Sequence, residues 1–260
     1  MKQLLLLLGC CTWATPGFGQ GSPLVDRNPL TWVGYVGDQP VTAKWVVHTE
    51  LQWRRANWGR TAQQLEIFLG AERTLTRRLK AAGGAAYAQT HRYGAYPAVA
   101  DRPAPERRTY QELTLKSPWQ RLVLTHRLRL EQRWLGARAA NGQGRVQEWK
   151  FQQRVRYQLA GLLPLGGPVL ANHGWYLNAY DELFVSVGRN AGADAFSENR
   201  LAGGPGYQLT PLARVELNYL RQVSRHARPD PASGREVVEV NQGVQLMLFY
   251  SLDFPHRRGQ

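Results

Sequence analysis

The sequence predicts an all-β protein, a closed antiparallel up-and-down transmembrane β-barrel of about ten or twelve strands with a polar, charged lumen. Three observations predict it. Apolar and polar residues alternate with a period of two along most of the chain, which sends them to opposite faces of a strand. The alternating segments reach about ten to fifteen residues, against about 5–6 in soluble sheets and about 9–11 for a tilted strand crossing a bilayer. A leader with the layout of a secretory signal precedes them.

The leader comes first. Met1 and Lys2, the run Leu4 to Leu8 and small residues to Gly17-Phe18-Gly19 give its charged, apolar and cleavage-site sections. Residues 1–19 are expected to be the signal peptide and 20–260 a single outer-membrane barrel domain. Leu7-Leu8-Gly9-Cys10 offers a competing lipidation site at Cys10, on an apolar section shorter than the roughly 7 residues usual. Cys10 and Cys11 are the only cysteines, so the mature chain is left without disulfides, thiolate metal sites or a cysteine nucleophile. After the leader no apolar stretch approaches the roughly 20 residues of a membrane-spanning helix.

Strands are expected at 30–37, 45–54, 62–72, 78–92, 107–117, 121–134, 149–159, 174–188, 198–209, 211–224 and 240–252. These are eleven, and because closed bacterial barrels have even strand numbers, ten or twelve should form the wall. The Pro-, Gly- and charge-rich stretches 96–107, 136–145, 190–197 and 226–235 read as long external loops. Tight periplasmic turns are expected at Leu75-Thr76, Ser117-Pro118 and Leu209-Thr210-Pro211. The link 161–172 is longer than its place in that order predicts.

From Arg121 to Trp134, leucines and Trp134 alternate with Arg127, Arg129, Glu131 and Arg133; Trp149 to Leu159 does the same around Arg154 and Arg156. Charges packed into a narrow lumen must satisfy one another. The expected inward network is therefore Glu50, Arg54, Glu66, Glu112, Arg127, Arg129, Glu131, Arg133, Arg154, Arg156, Glu182, Arg214 and Glu216. A filled interior favours a structural or narrow-pore barrel over an open anion channel. Trp45, Trp53, Trp134, Trp149 and Trp175 fall near strand ends, where rings would sit at lipid headgroup level.

The net charge of +14 would suggest nucleic acid in a cytoplasmic protein. For an exported chain the expected anions are the phosphates of outer-membrane lipids and lipopolysaccharide. No cofactor is expected, and neither Ser224 with His226 nor His173 beside Asn172 resembles a catalytic constellation. Gly203-Gly204-Pro205-Gly206 lacks the helix start that phosphate binding uses.

The stretch His126-Arg127-Leu128-Arg129-Leu130-Glu131-Gln132-Arg133, followed by a loop and an arginine-bearing strand to Tyr157, resembles the domain of unknown function 2490 family of bacterial envelope proteins. Trp32, Glu50 and Arg54, Asn178 and Glu182, and Asn199-Arg200 ahead of Gly204 to Tyr207 support the resemblance, which spans about residues 28–254. Leu113 after Glu112 departs from it, since a histidine is expected there. The resemblance implies an outer-membrane barrel of unassigned function in a Gram-negative bacterium, and no active site. Tyr250 to Phe254 looks like the aromatic-ended terminal strand by which barrel-insertion machinery recognises clients, while the tail 255–260 departs from that pattern. Two other readings stand beside it: a soluble periplasmic lipocalin-like binder with its apolar face inward, and an unrecognised lipid-modifying outer-membrane enzyme.

Overall fold

The computed structural model describes residues 22–99, 102–138, 144–188 and 195–252. The leader, with Cys10, lies outside the described residues, as do residues 139–143 and 190–194 of the expected loops and the tail from 253. The described residues form β1 (Leu24–Asp26), β2 (Pro29–Pro40), β3 (Trp45–Ala56), β4 (Thr61–Thr74), β5 (Leu79–Thr90), β6 (Ala104–Trp119), β7 (Leu122–Arg138), β8 (Val146–Pro164), β9 (Gly174–Val187), β10 (Phe196–Thr210), β11 (Ala213–Arg225) and β12 (Val237–Tyr250), with no helix among them.

From β2 to β12 each strand pairs antiparallel with the next, and β12 closes on β2. The closing pair is parallel, in register from Gln242↔Pro29 to Phe249↔Val36. The wall therefore has eleven strands, the eleven legible in the sequence, and not the ten or twelve that an even count required. Parity explains the seam. An odd number of up-and-down strands leaves the first and last running the same way, so they can only meet in parallel. β1 lies ahead of β2 along the same edge of β12, with Leu24 opposite Val237 and Asp26 opposite Glu239. Where the two break, the Asn28 backbone N–H donates to Asn241 Oδ1 at 3.0 Å. Gly243 allows this close approach, because a Cβ there would collide with the Leu30 carbonyl oxygen.

Short turns gather at one end of the barrel and long connections at the other, except that the link 165–173 lies at the short-turn end and the tight turn 57–60 at the long-loop end. At the short-turn end β6 runs on through Ser117 and Pro118 to Trp119, so the expected turn there moves to Gln120-Arg121. Gln120 takes the positive φ of 54° the tight reversal needs, and Pro118, opposite Val123 at the strand's end, has little ladder left to interrupt. β8 extends to Pro164, which shortens the link expected from 161.

The two faces of the wall are inverted relative to a soluble sheet. Leu128, Leu130, Tyr157 and Leu159 are exposed on the outside, whereas Arg129 is 3% and Glu131 0% exposed inside. On β5 the inward residues Ala82, Gly84, Ala86 and Ala88 are small, and Tyr110 from β6 leans across them. Its hydroxyl occupies the space a Cβ at Gly70 or Gly84 would need. Phe68 packs edge-on against the Tyr110 ring at 6.2 Å, and a second apolar cluster of Leu30, Trp32, Ala56, Ala202 and Leu220 fills the lumen nearer the long-loop end.

Candidate functional site

The candidate site is the lumen, where period-two alternation on neighbouring strands brings charges of opposite sign face to face. A ladder of ion pairs begins on β3, where Arg54 Nη2 reaches Glu66 Oε2 on β4 at 2.6 Å. Glu66 then takes Arg108 Nη1 of β6 at 2.7 Å, reaching over β5 because its inward side chains are small. Arg108 Nε donates to Glu106 Oε1 at 2.6 Å, and Arg133 Nε of β7 reaches the same oxygen at 2.5 Å.

Further round, Glu131 holds both arginines of β8, Arg154 Nη2 at 2.6 Å and Arg156 Nη1 at 2.7 Å. Arg156 Nη2 donates onward to Glu182 Oε1 of β9 at 2.7 Å, which also accepts Arg127 Nη2 at 2.8 Å. Arg127 and Arg129 share Glu112, with Arg129 Nε at 2.6 Å. On β10, Arg200 Nη2 pairs with Glu198 at 2.6 Å, and Gln222 Nε2 on β11 donates to that carboxylate at 2.8 Å. The ladder thus runs from β3 to β11.

Aromatic faces cover the guanidiniums between these carboxylates. Phe184 lies under Arg154, Arg156 and Arg200 at 5.1, 4.7 and 4.8 Å, and Trp32 under Arg54 and Arg200 at 4.3 and 4.8 Å. Arg129 stands 4.4 Å from the Tyr110 ring. A desolvated cation over a ring face gains about 2 kcal/mol or more. With each carboxylate paired to at least one guanidinium and several of those cations lying over rings, the ladder cross-links the strands.

All thirteen charged residues expected to point inward do so. Ten join the ladder; Glu50, Arg214 and Glu216 sit on its short-turn side. There Gln52 donates to Glu50, Tyr176 donates to Glu216 at 2.9 Å, and Arg214 lies 4.1 Å from the Phe249 ring. Sequence reading missed Glu106, Arg108, Glu198 and Arg200 as ladder members. The signal was present for the first two, which with Tyr110 and Glu112 continue the even-numbered inward face of β6: Glu106 fell in the stretch 96–107 expected as loop around Pro103 and Pro105, and Arg108, inside the expected strand 107–117, was passed over.

Of the five tryptophans, Trp45, Trp53 and Trp175 are exposed on the outer surface. Trp134 and Trp149 are half-buried outside, with Trp134 against Phe151 at 5.4 Å and Arg107 over Trp149 at 4.6 Å.

A second cluster ties the long-loop rim to the seam. Asp26 Oδ2 accepts the backbone N–H groups of Ala95 and Tyr96 at 3.0 and 3.2 Å, and Tyr93 donates its hydroxyl to Glu239 at 2.5 Å. Burial and the Glu239 carboxylate push the Tyr93 phenol well above its ordinary pKa, so it remains a donor. His226 Nε2 and Asn241 Nδ2 meet the same carboxylate at 2.6 and 2.7 Å. Among the described residues no group of three or more His, Cys, Asp or Glu is placed to hold a metal ion.

No curated protein and no solved structure matches this chain. A family model does, over residues 30–232, which takes in β2 but for its first residue, all of β3 to β11 and every charge of the ladder. The chain belongs to the family of proteins of unknown function DUF2490.

Proposed function

We propose that this protein is an outer-membrane barrel whose lumen is closed by its own ion pairs, so that it acts as a structural wall element or a very narrow pore, not an open channel. The observation that carries the reading is the inversion of faces, with Leu128 49% exposed outside and its near neighbour Glu131 wholly buried inside. An outer surface of leucine, valine and tyrosine suits lipid better than water. Outward apolar positions run continuously from Leu122 to Leu130 on β7, apart from His126, and from Leu201 to Leu209 on β10. Nine residues of strand rise about 30 Å along their axis, or roughly 23 Å at a barrel tilt, close to the apolar band of about 25 Å of such barrels.

Exposed Trp45 and Trp175 mark the short-turn side of that band and Trp53 the other. In this reading residues 1–19 direct export, the barrel-insertion machinery folds the chain, and lipopolysaccharide and other outer-membrane lipids surround it. The lipocalin-like alternative needs an apolar interior, and the lumen is lined with arginine and glutamate instead. A non-catalytic role is part of the proposal, supported by the pairing of each ladder carboxylate with guanidinium. Planar-bilayer recording tests closure: the purified protein should give no steady conductance steps, and replacing Arg154, Arg156 and Glu131 together by alanine should produce them. Large steps from the unmodified protein would overturn it.

A further inference from the structure

The outer face of β6 to β8 departs from the apolar pattern of the band. Just past Leu130 toward the long-loop end, Gln132 Oε1 accepts the Thr109 hydroxyl at 2.8 Å and Gln111 Nε2 at 3.2 Å, while Gln132 Nε2 donates back to Gln111 Oε1 at 3.1 Å. Gln153 stands opposite Gln132 on β8. Each amide nitrogen carries two N–H groups, so Gln111 and Gln132 each keep one directed away from their mutual pair. Beyond this row toward the long-loop end the wall is aromatic again, with Trp134 against Phe151 and, beside them, Trp149 under Arg107.

Arg107 is exposed, and its contact among the described residues is the Trp149 ring. The outward positions of these three strands carry Arg107, His126 and Arg138 and no carboxylate. β6, β7 and β8 are also the longest strands of the wall, at 16, 17 and 19 residues, so this aromatic and cationic surface stands above the apolar band.

We infer that this patch binds the phosphorylated saccharide headgroup of an outer-leaflet glycolipid. Arg107, held flat by Trp149, presents its guanidinium N–H groups to a phosphate. The indole of Trp134 beside them offers the flat apolar surface on which the C–H face of a sugar ring stacks. The amide row of Gln111 and Gln132 supplies outward N–H donors to the acyl carbonyls just below the sugar. The inference rests on the outer-membrane reading above.

The test uses the full mature chain in dodecyl maltoside micelles, with diphosphorylated lipid A or its dephosphorylated form as probe and native mass spectrometry as readout. Each variant is first checked for a heat-modifiable band. Phosphorylated lipid A should be retained, and Arg107→Gln, Trp149→Leu or dephosphorylation of the probe should each weaken retention about tenfold. Arg55→Gln should change it less than twofold, because Arg55, although stacked on Trp53, already donates to the carbonyls of Gly59 and Arg60.

Equal retention by wild type and Arg107→Gln overturns the site, as does an equal loss in Arg55→Gln. A change of oligomeric state in the patch variants without a change in lipid retention also overturns it and makes the patch a contact between copies. A chain that folds without detergent removes the outer-membrane reading and this inference together. A detergent-folded barrel indifferent to the phosphates removes the inference alone.

Discussion

Glu131 and Arg156, on adjacent strands, meet at 2.7 Å with no part of Glu131 open to solvent. The same carboxylate takes Arg154 on its other oxygen, so one side chain neutralises two buried cations. Removing one member of a buried pair leaves the other desolvated and unpaired, which costs about 3–5 kcal/mol. Glu131→Gln should therefore lower the unfolding free energy of the micelle-refolded barrel, read from its urea titration, by an amount in that range. Glu148→Gln, at a carboxylate with 63% of its side chain exposed, should stay within about 0.5 kcal/mol of wild type. Similar losses in the two variants would contradict the ladder as the lumen's main cross-link.

The parallel seam makes its own demand at Gly243. A methyl group there meets the backbone of Leu30 on β2, which has no rotamer by which to retreat. Gly243→Ala should destabilise closure by about 1–3 kcal/mol, as overpacking does. Gly166→Ala, with nothing near the added methyl, should be neutral in the same denaturation series. A neutral Gly243→Ala would mean that β12 and β2 do not approach this way.

An odd wall places the two ends of the described chain at opposite ends of the barrel. Single cysteines introduced at Ser22 and at Ser251, in the leaderless chain that otherwise lacks thiols, should be labelled by an impermeant maleimide from opposite sides of a proteoliposome. Labelling from one side would require an even number of crossings.

The carboxylate of Asp26 holds the 91–98 segment against the seam through two backbone amides. Asp26→Ala should speed hydrogen exchange at Ala95 and Tyr96 about tenfold, with the exchange of β7 and β8 unchanged. Unaltered exchange at those two amides would show that the segment is held by other contacts.

Alternation made the charged lumen legible wherever it ran unbroken, as from Arg127 to Arg133, because a strand's period fixes the face of every residue once one is known. It failed where the chain's chemistry resembled a loop. Pro103 and Pro105 bracket the start of β6, and Glu106 was lost with it although its spacing from Glu112 was right. The seam was beyond reach for another reason. Nothing local in Gln242 or Pro29 says that residues 213 apart will pair, or in which direction, and β1 has three residues, too few to show a period. The eleven alternating segments were themselves sufficient, and the even-count rule was what led away from them.

The claim that matters most is that this wall faces lipid. Electrophoresis of the detergent-extracted protein, unboiled and boiled, tests it most directly. The account predicts that the unboiled form migrates as a compact species distinct from the boiled one, and that the chain leaves solution when detergent is withdrawn. Identical migration of the two samples, with protein that stays dissolved without detergent, would contradict it.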